Sequence, residues 1–145
     1  MITFSIDCVS PPWFFLPDDF MWTPYTATFA SLSAAALTSS ITLATLPAKT
    51  VLHAVAIKHG TAFAGGTIAS YTVSVGIAGT VDKYASAFNV FQAVGATVGQ
   101  LSHALFCENF STTTPVLLSA VSTVGLLNAA TAGSVTIWLL TSTLP

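Results

Sequence analysis

Apolar and polar positions alternate with a period of two along much of this chain. In TVLHAVAIK, Val51, His53, Val55 and Ile57 alternate with Leu52, Ala54, Ala56 and Lys58. In TIASYTVSV, Ala69, Tyr71, Val73 and Val75 alternate with Ser70, Thr72 and Ser74. Near the C-terminus Val135, Ile137 and Leu139 fall on one side and Ser134 and Thr136 on the other, where Trp138 and Leu140 make the second side apolar too. Successive side chains of a strand point to opposite faces, so each run predicts a strand. SITLATL (40–46), ATVGQLSHALF (96–106) and PVLLSAVSTV (115–124) are further candidates, and Pro47, Gly60, Gly65–Gly66 and Gly76 punctuate the series. Short strands joined by glycine-rich turns predict an all-β fold, an antiparallel, jelly-roll-like β-sandwich. AFAGGT reads as a hairpin turn within it.

Two segments depart from this pattern. In VDKYASAFNVFQAVG, Tyr84, Phe88 and Phe91 recur at helical spacing, Asp82 is placed to cap and Gly95 to terminate, which predicts one short helix. Its aromatic stripe reads as core packing. PPWFFLPDDFMWTPY (11–25) holds four of the seven prolines, two of the three tryptophans and three of the ten phenylalanines. Prolines 11, 12, 17 and 24 oppose a helix or a central strand. Residues 1–27 are therefore expected to form an extended arm and residues 28–145 the sandwich. Ordering such an arm costs on the order of 1–2 kcal/mol per residue in backbone entropy, and each large apolar side chain it buries returns roughly 1.5–3 kcal/mol. Trp13, Phe14, Phe15, Phe20, Trp22 and Tyr25 are the expected anchors, reaching a neighbouring subunit rather than lidding their own core.

Charge sharpens this expectation. Only 6% of the 145 residues are Asp, Glu, Lys or Arg, against about 25% in an average soluble domain. Such a surface is covered either by lipid or by other subunits, and the abundant interspersed Ser and Thr favour subunits. The stretch from Asn109 to Pro145 carries no charge, yet Gly125, Asn128 and Gly133 interrupt it and no Lys or Arg flanks it, so a membrane span is not expected. The N-terminus has no basic residue before its apolar run and meets Asp7 early, a poor match to a secretory signal. Synthesis in a cytoplasm is expected. A net charge of −2, with Lys49, Lys58 and Lys83 scattered, offers no basic face for nucleic acid.

Candidate chemistry is sparse. Catalysis or metal binding would need His53, His59 and His103 to converge with Asp7, Asp18, Asp19, Asp82 or Glu108, and no histidine stands at ligand spacing from an acid. His53 reads as a hydrogen-bonded or interface residue and His59 as a solvated one beside a turn. Asp18–Asp19 reads as a solvated corner. Cys8 and Cys107 match no metal or redox spacing and read as two thiols, with a bridge tying the arm to the body as the alternative. Asn109-Phe110-Ser111 is a chance glycosylation sequon without an export signal. No nucleophile elbow, phosphate loop or dinucleotide fingerprint occurs. Neither an enzyme nor a cofactor is expected.

Lys58 with Thr61–Gly65 (K-x-x-TAFAG), Tyr71–Gly76 (YTVSVG) and Lys83–Phe91 (KYASAFNVF), together with the ending AGSVTIWLLTSTLP, resemble small structural proteins of tailed phages and prophages. The likeness covers about residues 46–145 and leaves the arm outside it. What it implies is a virion component with a β-sandwich body, resembling capsid decoration (cement) proteins. The function expected on this basis is non-enzymatic: a homotrimer on the capsid exterior whose partner is the major capsid protein and which stabilises capsomer junctions. No direct contact with nucleic acid or membrane is expected. The alternative is a tail or head-fibre module that binds a host receptor or glycan.

Overall fold

The computed structural model describes residues 20–91 and 108–144. Among them are eight strands: β1 (Met21–Thr28), β2 (Thr38–Leu46), β3 (Thr50–Ala64), β4 (Ser70–Ile77), β5 (Thr80–Asn89), β6 (Glu108–Asn109), β7 (Thr114–Thr123) and β8 (Ala132–Thr143). They form two antiparallel four-stranded sheets, ordered β1-β8-β3-β6 and β2-β7-β4-β5. In the pairs β1·β8, β2·β7, β3·β6 and β4·β5 the first half of the chain meets the second half in reverse order. That nesting is one long hairpin. Two lateral pairings, β3·β8 and β4·β7, roll it into two layers. The result is the eight-stranded jelly roll.

The alternation seen in the sequence decides which side of each strand is inside. Val135, Ile137 and Leu139 of β8, Val55 and Ile57 of β3, Tyr71, Val73 and Val75 of β4, and Val116, Leu118 and Ala120 of β7 are all buried between the layers. Each fully buried side chain of this size contributes roughly 1.5–3 kcal/mol. At one end the Phe63 and Tyr71 rings pack 4.5 Å apart across the two sheets. Gly133, with φ +142°, passes over Phe63, and a Cβ there would lie 2.4 Å from the ring. Only glycine fits that crossing.

Several expectations are corrected. Residues 80–89, expected to include the start of a helix, are strand β5; a single 3-10 turn, Leu127–Ala129, is the helical element among the described residues. The Gly65–Gly66 turn closes no hairpin, because β3 and β4 lie in different sheets and the turn carries the chain between them. His59 is buried, with Nε2 3.1 Å from the Thr61 carbonyl oxygen, so it is not solvated. The sheet begins at Met21, and residues 21–27, assigned to the arm from sequence, form most of β1. The candidate strand 96–106, Gly95, His103, Cys8, Cys107, Asp18 and Asp19 lie outside the described residues.

Candidate interaction surface

The outer face of the β1-β8-β3 layer follows from register. Trp22 pairs with Leu140, Pro24 with Trp138 and Thr26 with Thr136, while Ala54 pairs with Leu140, Ala56 with Trp138 and Lys58 with Thr136. Because Val135, Ile137 and Leu139 point inward, Trp22, Pro24, Trp138, Leu140, Ala54 and Ala56 share the outward side. Towards Thr26, Thr136 and Lys58 the same face becomes polar, with the Thr26 and Thr136 hydroxyls 3.2 Å apart. One half is an apolar platform of indoles beside small alanines. Trp22 is 44% exposed and Met21 63%. Pro24 is tolerated because β1 is an edge strand, where a missing N–H breaks no ladder.

At the end of this platform the chain enters β1. The Phe20 ring lies against the His53 ring, 4.7 Å between centroids, and His53 Nε2 shares a 2.7 Å hydrogen bond with the buried Ser142 hydroxyl. His53 is the extra residue of a bulge, since the β3·β8 register shifts between Leu52 and Ala54. Its Nδ1 is buried with no protein partner, and burial holds the imidazole below its usual pKa of 6.5. His53 is thus a hydrogen-bonded residue, as expected from sequence.

The six expected anchors distribute unevenly. Phe20 packs on His53, Trp22 stands on the platform, and Tyr25, whose register partner is Ile137, packs against the protein's own core. Trp13, Phe14 and Phe15 lie outside the described residues. Trp138, Leu140, Ala54 and Ala56 were absent from that set. The doubly apolar pattern of 138–140 was the available signal for the first two, but it becomes a surface only once β8 is known to lie between β1 and β3.

The opposite layer presents a different chemistry. Ser40 pairs with Ser119 and Ser70 with Thr123, each couple of hydroxyls 2.7 Å apart, and Thr72 lies beside them on β4. Val121, 41% exposed, and Leu117 share this layer's outward side, and Ser119 is itself buried, so this face mixes paired hydroxyls with aliphatic positions. At the open edge between layers Lys83 Nζ of β5 bonds Glu108 Oε1 of β6 at 2.6 Å and sits 5.6 Å from the centre of the Tyr84 ring. Burial first, then the hydrogen bond to Glu108 and its charge, push the Tyr84 hydroxyl well above its usual pKa.

Among the described residues no three His, Cys, Asp or Glu side chains gather as a metal site. No described helix is long and apolar enough to cross a membrane. No protein-family description matches the chain, and no curated protein does. Among solved structures it is similar to a chain of the cyanophage Pam1 capsid asymmetric unit, with TM-score 0.64, 20% identity, and 88% of this chain and 86% of that one covered. The two share a fold. The nearly equal coverage also means that the two chains are of similar length.

Proposed function

We propose that this protein is a non-enzymatic structural component of a phage virion, a decoration protein that binds the capsid surface and stabilises capsomer junctions as a homotrimer. The observation that carries the reading is the jelly roll shared almost end to end with a capsid chain of similar length. The sparse charge and the Trp22–Trp138 platform support a surface covered by neighbouring protein. Trp13, Phe14, Phe15, Phe20 and Trp22 act as the anchors in this reading, with the major capsid protein as partner, while Tyr25 serves its own core.

Aromatic residues at the centre of an interface carry most of its energy, about 2 kcal/mol or more each. Trp22→Ala is expected to weaken affinity for capsid shells by about thirtyfold and to leave the sandwich folded, because the outward indole is 44% exposed. Cryo-electron microscopy of shells mixed with each variant reads occupancy directly. Density at three-fold or quasi-three-fold positions supports the reading. Wild-type density confined to a tail or fibre overturns it.

A further inference from the structure

Val124 is the most exposed large apolar residue among those described, at 77%, and its φ is +69°. A β-branched residue rarely adopts that conformation. Gly125 N–H donates to the Thr123 carbonyl at 2.9 Å, which makes Val124 the centre of a classic γ-turn, a rare and strained form. The turn is clamped on several sides. The buried Ser122 hydroxyl donates to the Gly125 carbonyl at 2.7 Å, and Ser122 N–H donates to the Leu37 carbonyl at 2.8 Å. Gly125 is backed so closely by residues 67–68 that a Cβ would lie 2.7 Å from Ile68 N. Strain of this kind persists only where the surroundings over-determine it. Here three contacts hold outward an apolar side chain that packs against nothing in its own core.

The neighbours of Val124 have the same character. Leu37 is 45% exposed and Leu126 42%, and they are brought to the same end of the sandwich by the Ser122–Leu37 bond and by Leu127 N–H donating to the Ala36 carbonyl. This end is opposite to the one where Phe20 leads into β1. Phe20 lies beside Ser142, at the far end of β8 from Ala132. The twelve residues of β8 separate the two ends, roughly 40 Å at about 3.3 Å per residue.

We infer that Val124, flanked by Leu37 and Leu126, is a preformed knob that inserts into an uncharged aliphatic pocket on a second capsid subunit, different from the one engaged by the arm end. The inference rests on the decoration reading above. A protein that staples a lattice needs attachment points far apart, and these two lie at opposite ends of the strands. The knob is far smaller than the roughly 800 Å² per partner of a stable soluble dimer. Such a contact becomes effective when another attachment already holds the molecule on a repeating surface.

Val124→Asn and Val124→Ile separate the possibilities, because Asn accepts the left-handed conformation and removes the apolar surface, whereas Ile keeps the apolar surface and the same β-branched strain. Each is titrated onto capsid shells lacking this chain, with thermal midpoint and sedimentation measured alongside. Val124→Asn is expected to bind at least about tenfold more weakly, with an unchanged or higher thermal midpoint, while Val124→Ile binds as wild type. Equal binding by Val124→Asn and wild type overturns the knob and leaves the decoration reading standing. Failure of the wild type to bind shells overturns both. Self-association of the wild type that Val124→Asn abolishes, with binding to shells unaffected, reassigns the knob to a second copy and overturns the pocket.

Discussion

His53 shows how one side chain ties local chemistry to condition-dependent stability. Its Nε2 is engaged by Ser142, its Nδ1 is buried without a protein partner, and Phe20 covers the ring. Protonation would leave a second N–H donor unsatisfied in an apolar setting, so burial lowers the folded-state pKa below 6.5. Between the two pKa values the unfolded chain binds more protons than the folded one, and stability rises with pH there. The contribution is complete above pH 6.5 and is lost as pH falls through the folded-state value. The nearest acid by register is Glu108, opposite Leu52 and already engaged by Lys83; β1 and β8 contribute no charged residue. Wild type is therefore expected to lose more of its thermal midpoint between pH 7.5 and pH 5 than His53→Gln. Equal losses would show that His53 carries none of the acid sensitivity.

At the scale of elements, β5 is both the instructive misreading and the place where a backbone rule is most exacting. Tyr84 and Phe88 are four residues apart, a spacing that suits one face of a helix and one face of a strand alike. Phe91, which tilts the pattern towards a helix, lies beyond the strand end at Asn89 and bridges to Phe63. Two further facts are tertiary and left no trace in the periodicity. The β4·β5 register runs Val75↔Ala85 then Ile77↔Thr80, so residues 81–84 bulge past Gly76 and Tyr84 and Ala85 both become buried. The same kind of shift at His53 displaces the alternation of β3. By contrast β4, β7 and β8 were legible because their alternation is unbroken over the stretches that were read, and β2 was legible despite a bulge at Leu43. The platform was half legible: Trp22 stood out by composition, whereas Ala54 and Ala56 acquire meaning only from their register with β8. The bulge makes a definite prediction. A Cβ on Gly76 would lie 2.1 Å from the Thr80 carbonyl oxygen, whereas Gly79, with φ +86°, has nothing within 4 Å. Gly76→Ala must displace backbone and is expected to cost about 3 kcal/mol or more, lowering the thermal midpoint by roughly 10 °C. Gly79→Ala meets only conformational strain, about 1–2 kcal/mol. Equal midpoints for the two variants would mean that the bulge yields freely.

For the whole molecule, the jelly roll reconciles a nearly uncharged sequence with a folded particle by giving its two outward faces different tasks. One mixes the Ser40–Ser119 and Ser70–Thr123 hydroxyl pairs with aliphatic positions such as Val121; the other carries the Trp22–Trp138 platform, which water covers poorly. With 6% charged residues and the Lys83–Glu108 pair at an edge, little of any attachment can be Coulombic. Exposed ion pairs of that kind contribute at most about 1 kcal/mol and are screened by salt. Apolar contacts respond in the opposite way, because sulfate is excluded from protein surfaces and strengthens burial. If the protein attaches to a capsid through its platform, arm and Val124 end, attachment should persist in molar sodium chloride and tighten in ammonium sulfate. Warming from near freezing to room temperature should also strengthen it, since burial of apolar surface gains driving force over that range. Washing decorated shells at increasing sodium chloride and quantifying the retained chain checks this directly. Release at moderate sodium chloride would instead require charge on this small complement of ionisable residues to dominate the interface, and the apolar account of its attachment would fail.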